Sequence, residues 1–247
     1  INRINKSVER IWKAKFELNL FADQSELNWV NLQKELGKKD NYSISSDIAN
    51  KSITVVKDED NLLPLKPEEV DRVSHLILSL DDGANDVLKP LHREINRLHR
   101  KTDKIFINDK VSKLRIKEII SKLSSSDLVI VSLLVRIRMD KGIATIDDSH
   151  AELLKAMHEN GIKFVTISFG SPYLPSYKYL NTYIATYGYS SVAMRACSNV
   201  LWGRVESIGR LPVDLNSEYK KGHGLSIKKR INPFKSYNSM DYDLSPA

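Results

Sequence analysis

Four short segments carry side chains able to bind or react, and each directly follows an apolar run. Asp81-Asp82-Gly83 sets two carboxylates side by side, which suits a metal ion or an acid/base pair; the plainer reading is a turn that caps the next helix. Arg136 and Arg138, in the run RIRMDK, are two apart and point the same way on extended chain. Such a pair clamps an anion or a sugar, or equally reaches a neighbouring domain. Gly170-Ser171-Pro172-Tyr173 is a turn whose Tyr173 can stack on a sugar ring or pack against another domain. Gly188-Tyr189-Ser190-Ser191 stands between a strand and a helix, as a serine nucleophile does on its sharp turn. Val192, however, stands where that turn requires a small residue, and Ser190 or Ser191 also serves as a helix N-cap. No glycine-rich phosphate loop of the G-x-G-x-x-G or G-x-x-x-x-G-K type occurs.

Other reactive types point to packing. His92 and His99 are seven apart on one expected helix, about two turns, too far to share an ion. His75 sits inside an apolar strand and reads as a core histidine, whereas His150 and His158, near the ends of a helix, read as solvated. Cys197, the single cysteine, lies beside Ala193, Ala196 and Val200 and reads as a packed thiol. A lone cysteine forms no intramolecular disulfide, and no Cys/His metal spacing exists.

These segments need elements to hold them. Helical spacing is expected over residues 1–20, through Ile4, Val8, Ile11, Trp12 and Phe16, and again over 30–37. A third helix, capped by Ser45 or Ser46, is expected to run through Ile48, Ile53 and Val56. Beyond Pro64 and Pro67 the pattern alternates. Apolar runs at 73–80, 104–107, 128–135, 163–168 and 182–186 read as strands. Helices are expected between them, through Val87 to Leu98, over 112–123, 148–160 and 190–201, with Gly161 stopping the third of these. A last strand is expected at 211–215. Strands alternating with helices mean βαβ units and a mostly parallel sheet. Continuous Val/Ile/Leu runs suit strands covered on both faces. In such a sheet ligands bind at the carboxyl ends of the strands, where the four chemical segments fall.

Composition narrows the field. With 247 residues and 41% hydrophobic content, the chain is long enough for one large domain with extensions. A net charge of +7 permits nucleic-acid or acidic-lipid contact without implying either, and the basic residues are spread along the chain. The helix carrying Lys113, Arg115, Lys117 and Lys122 has an apolar side through Ile116, Ile119 and Ile120 and reads as a solvated basic face. No apolar run approaches the ~18 residues of a membrane helix.

The order of these elements resembles the C-terminal domain of glycoside hydrolase family 3. The matching runs are KSITVVKDEDNLLPL at 51–65, FGSPYLP at 169–175, IATYGYSSVAMRACSNVLWG at 184–203 and GRLPVDL at 209–215. The resemblance covers about residues 1–225 and implies a flavodoxin-like, three-layer α/β/α sandwich with a mostly parallel sheet. It implies a helical linker from a preceding catalytic barrel at 1–45, the sandwich domain at 46–216, and a linker or extended tail at 217–247. Within the family this chain is similar to the β-N-acetylhexosaminidase branch. Related β-glucosidases draw a general acid/base glutamate from this domain. The segment 135–147 here holds Asp140 and Asp147 but no glutamate. In the hexosaminidase branch the catalytic residues belong to the barrel, so no catalytic residue is carried onto this chain.

The resemblance thus implies an accessory domain of an enzyme that hydrolyses terminal β-N-acetylhexosamine linkages. The expected partners are the barrel of the same polypeptide and a carbohydrate, without nucleic acid, membrane span, metal or organic cofactor. Candidate substrate-binding residues are Asp81, Asp82, Arg136, Arg138, Ser171 and Tyr173. The branch implies a periplasmic or extracellular bacterial setting. Some of its members continue into a penicillin-binding-like serine hydrolase, and residues 222–247 resemble such a linker. Two other readings stand beside this one: a free-standing flavodoxin-like module for a carbohydrate or small ligand, and a serine hydrolase using Ser190 or Ser191.

Overall fold

A computed structural model of the chain describes residues 1–22, 28–99, 102–137 and 145–230. The chain forms two compact units, Ile1–Ser43 and a larger one that begins at Ile44.

In the first unit, α1 (Asn2–Glu17) buries none of its residues. Its apolar stripe of Ile4, Val8, Ile11, Trp12 and Phe16 is exposed, Trp12 at 59% and Phe16 at 77%. Trp12 stacks on Phe21 with ring centroids 5.1 Å apart. The short helix α2 (Trp29–Glu35) is capped by Asn28, whose side chain accepts from the amides of Val30 and Asn31.

Helix α3 (Lys39–Ser52) begins before Ser45 and Ser46, which lie inside it, and stops at Ser52. The expected continuation through Val56 does not occur. Thr54–Asp58 is instead a strand, β1. Ile-Thr-Val-Val is β-branched throughout and favours extended chain where both faces can be covered. Val55 and Val56 are fully buried there.

The remaining strands are β2 (Val73–Leu78), β3 (Thr102–Ile107), β4 (Leu128–Val135), β5 (Phe164–Gly170) and β6 (Thr182–Ala185). They form one six-stranded sheet in the order β1-β6-β5-β4-β2-β3. Only β1 runs antiparallel, paired with β6. The five parallel strands therefore follow the flavodoxin-like order, in which direction reverses between β2 and β4.

The helices are α4 (Ala84–Val87), α5 (Lys89–Leu98), α6 (Lys113–Leu123), α7 (Asp148–Glu159) and α8 (Ser191–Leu201). Along β4, Val129, Val131 and Val135 join one core with Ile120 of α6 and Met157 of α7. Ile130 and Leu134 join the opposite core with Ile95 of α5 and Cys197 of α8. This period of two divides the sheet between two apolar layers and makes the three-layer sandwich. The caps are local: Ser112, Asp147 and Ser190 each accept a backbone amide at the starts of α6, α7 and α8. Gly161 ends α7 with φ +67°.

The strand expected at 211–215 is absent. Pro212 cannot donate to a ladder, and this stretch is held by single contacts instead. Leu211 N donates to His223 O at 2.8 Å, and Leu225 N donates to Val55 O at 2.8 Å. Residues 223–225 therefore lie against β1. Tyr219 is buried, and His223 Nε2 donates to Val56 O at 2.7 Å.

Candidate functional site at the sheet switch point

The carboxyl ends of β2 and β4 are the switch point, and the chain leaves them through Asp81 and Arg136. Arg136 Nη1 lies 3.0 Å from Asp81 Oδ2. The other carboxylate oxygen of Asp81 accepts from Gly83 N at 2.9 Å and shapes the turn into α4. Asp82 points elsewhere, accepting from Asn108 Nδ2 at 3.0 Å. The two adjacent carboxylates thus serve different partners and do not form a joint metal or acid/base pair. Among the described residues no cluster of three or more His, Cys, Asp or Glu is placed to hold a metal ion.

Arg136 also lies over the ring of Tyr189, with its guanidinium carbon 5.1 Å from the centroid. Arg136 lines one of two neighbouring cavities, and Tyr189 lines the other. One, of about 350 Å³, is lined by Ser79, Asp81, Leu134, Thr145, Ile146 and His150. The other, of about 390 Å³, is bordered by Ile137, Tyr173, Tyr187, Tyr189 and Val213. Tyr173 and Tyr189 are each about two-fifths exposed, at 40% and 42%. Gly170, with φ +97°, lets β5 pass against β4 at this rim; a Cβ there would stand 2.3 Å from Val135 O.

Of the six candidate residues, the fold thus brings Asp81, Arg136 and Tyr173 to one rim. Ser171 is 2% exposed, with its hydroxyl oxygen 3.3 Å from the Tyr173 amide it accepts; it shapes the turn. Asp82 is exposed beside Asn108. Arg138, like Asp140, lies outside the described residues.

Two residues lining this site, Val213 and His150, escaped sequence reasoning, and Tyr189, in a strand-end loop that the sequence picks out, was given no role of its own. Tyr189 belongs to a segment that looked like a serine elbow. Val213 comes from the 209–215 run, far away in sequence. His150 was expected to be solvated; it is 1% exposed, and its Nε2 donates to Asp109 O at 3.0 Å. Burial holds its pKa below the ordinary imidazole range, against the pull of Asp109 and Asp147. The signal for His150 was present in the helical spacing, which puts it one turn before Leu153 and Leu154 on the buried side.

Among the described residues the electrostatics do not assemble a hydrolytic centre. The Ser149 hydroxyl at 2.7 Å, the Ser149 amide and Lys110 hold the Asp147 carboxyl below the usual carboxylate range. An ionised helix cap of this kind is not a general acid at neutral pH. Ser190 Oγ accepts from Ala193 N at 3.2 Å as the α8 cap. Among the described residues no histidine is bonded to Ser190 or Ser191. Burial raises the Tyr187 phenol above its usual range, although its hydroxyl bonds Thr54 Oγ1 at 2.8 Å. The rim can therefore stack, donate and accept hydrogen bonds, and among the described residues it holds no nucleophile activated by a base.

No family model matches this sequence, and no curated protein matches it. Solved structures do match. A glycoside hydrolase family 3 β-N-acetylglucosaminidase from Paenibacillus sp. str. FPU-7 aligns over 87% of this chain with a TM-score of 0.61 and 20% identity. The β-glucoside phosphorylase BglX aligns over 86% with a TM-score of 0.63 and 21% identity. A β-glucosidase from Listeria innocua, in complex with isofagomine, aligns over 87% with a TM-score of 0.65 and 14% identity. The chain spans only 40%, 38% and 32% of these three proteins respectively. It shares their fold over that part of their length.

Proposed function

We propose that this chain is the second, C-terminal domain of a glycoside hydrolase family 3 enzyme that cleaves terminal β-N-acetylhexosamine linkages. In this reading it presents the Asp81–Arg136–Tyr189 rim to the sugar and docks, through the exposed stripe of α1, on a catalytic barrel of the same polypeptide. The observation that carries the reading is the rim itself. It is a polar and aromatic switch-point site that, among the described residues, holds no activated nucleophile and acid of its own, as befits a domain that completes a site built elsewhere. Retaining glycoside hydrolysis needs two groups flanking the bond, and both would come from the barrel.

The choice of an N-acetylated sugar rests on the acidic residues of the segment 135–147. It contains no glutamate, and Asp147 is committed to capping α7.

The test is hydrolysis of chromogenic β-N-acetylglucosaminide and β-glucoside by this chain and by a polypeptide extended upstream by about 250 residues, the length of a barrel. Activity on the first substrate, confined to the longer polypeptide, is the expected result. Activity of this chain alone would overturn the accessory role, and preference for the glucoside would overturn the assigned sugar.

A further inference from the structure

Buried hydroxyls beneath the rim converge on one turn. The Pro172 carbonyl accepts from two phenols, Tyr183 Oη at 2.6 Å and Tyr177 Oη at 3.0 Å. Tyr177 Oη also accepts from Leu174 N at 3.0 Å. Tyr183 Oη lies 2.8 Å from Ser168 Oγ. Tyr183 on β6 and Ser168 on β5 are fully buried, and Tyr177 and Leu174 are buried as well. The rings of Tyr177 and Tyr183 lie 5.6 Å apart, and Tyr219 meets Tyr177 edge-on at 5.8 Å.

The proton count fixes the directions. A carbonyl only accepts, and a phenol holds one proton. Tyr183 therefore donates to Pro172 O, and Ser168 must donate to Tyr183. Tyr177 donates to the same carbonyl while it accepts from the Leu174 amide. Burial raises both phenols above their ordinary range, so each keeps the proton it donates.

These bonds fall on the two peptide units that flank Tyr173. The Pro172 carbonyl belongs to one unit and the Leu174 amide to the other. A peptide unit is planar, so only φ and ψ of the residue between two units are soft. With both units held, the direction of the Tyr173 side chain from the backbone is set. Ser171 Oγ, which accepts from Tyr173 N at 3.3 Å, ties the first unit again. Between these ties Tyr173 is 40% exposed and borders the cavity it shares with Tyr187, Tyr189 and Val213. The need to satisfy buried hydroxyls explains why the phenols are bonded. It does not explain why both meet at the one carbonyl beside the exposed ring.

We propose that Tyr183 and Tyr177 are positioning residues: through Pro172 O and Leu174 N they hold Tyr173 as a preset aromatic wall of the cavity, which stacks on the apolar face of a sugar ring. The proposal rests on the reading of the rim as a sugar site. A wall fixed before binding loses no backbone freedom when the ligand arrives, and the ordering cost so avoided appears as affinity. Neither phenol needs to touch the sugar, because both are buried behind the turn.

The test is a double-mutant cycle in the polypeptide extended upstream, read as KM and kcat for the sugar substrate together with the melting temperature. Tyr183→Phe removes one hydroxyl and keeps the ring. It is expected to raise KM about five-fold and leave kcat within about two-fold, the pattern of an interaction lost equally from bound substrate and transition state. Tyr173→Ala is expected to raise KM by at least as much. In that background Tyr183→Phe should change KM no further, because the two residues act as one unit. Should Tyr183→Phe fail to fold, Tyr177→Phe, which removes the hydroxyl that spans both peptide units, takes its place in the cycle. Effects on KM that multiply would show the phenol acting by another route and overturn the proposal. A lower melting temperature with KM unchanged in Tyr183→Phe, while Tyr173→Ala raises KM, overturns it too and leaves the rim as a sugar site. An unchanged KM in Tyr173→Ala is a separate failure: it removes this ring from the sugar, and the proposal falls with that part of the rim reading.

Discussion

Gly209 lies against the carbonyl of Ile53: a Cβ at residue 209 would stand 2.2 Å from Ile53 O and 2.7 Å from its carbon. The two most recognisable runs of the sequence, KSITVV at the start of the sandwich and GRLPVDL near its end, thus meet at backbone distance. Real Cβ atoms do not come that close, and neither neighbour is the end of a flexible side chain. Gly209→Ala is therefore expected to destabilise the domain by about 2 kcal/mol or more, in the range of overpacked cores. Urea denaturation checks it; an unchanged midpoint would show that the two segments do not approach as described.

The Arg136–Asp81 pair predicts a split between stability and function. Both side chains are partly exposed, at 32% and 22%, so solvent screens much of their attraction. Asp81→Asn is expected to cost no more than about 1 kcal/mol. It frees the guanidinium from its place over Tyr189. In the longer polypeptide we expect KM for the sugar substrate to rise several-fold while the melting temperature stays within a few degrees. A large loss of stability with no change in KM would make the pair structural only.

Ser190→Ala distinguishes a cap from a nucleophile. Loss of the bond to Ala193 N is expected to cost about 1 kcal/mol, read from the denaturation midpoint. Catalysis by the longer polypeptide should not change, and a fluorophosphonate should label neither Ser190 nor Ser191. Labelling would revive the serine hydrolase reading.

The stripe of α1 gives a prediction about association. Trp12 and Phe16 contribute little to the stability of this chain, because neither is buried in it. Replacing both by serine is expected to leave the denaturation midpoint within about 0.5 kcal/mol, as for surface sites. The same change in the longer polypeptide should weaken packing on the barrel and lower its melting temperature. Equal effects in both would place these rings in an internal core.

Acid sensitivity has a defined sign. Burial depresses the folded-state pKa of His75 to about 3, while in the unfolded chain it titrates near the ordinary value of about 6.5. The unfolded state therefore binds more protons below that value. The stability tied to the neutral ring is complete above it and is lost as pH falls from about 6.5 toward about 3. Between pH 7 and pH 5 this group alone should remove about 2 kcal/mol. Denaturation midpoints across that range, compared with His75→Gln, measure it; equal slopes in the two proteins would reject the assignment.

Much of the fold was legible because its signals are local. The run at 128–135 is continuous Val, Ile and Leu apart from one serine, and β4 spans the same residues. Ser112 and Ser190 each cap the helix that follows. Cys197 and His75 are buried as their apolar neighbours required. β1 reads as helix in the sequence because Ile48, Ile53 and Val56 follow a candidate cap at Ser45 or Ser46. Its extended form depends on β6, more than a hundred residues away, which supplies the hydrogen bonds.

By itself, then, the sequence determined most of the helices and the five parallel strands, that the sheet is mostly parallel and covered on both faces, and which loops end at its carboxyl edge. Those properties follow from side-chain period and from caps a few residues away. Only the tertiary structure decided the partners. It separated Asp81 from Asp82, set Arg136 between Asp81 and Tyr189, carried Val213 to the rim, and set His75 of β2 against Ser132 of β4. Each of these joins residues distant in sequence. Their bonds exist only after the strands have been ordered and the helices laid across them, and no periodicity along the chain encodes that distance.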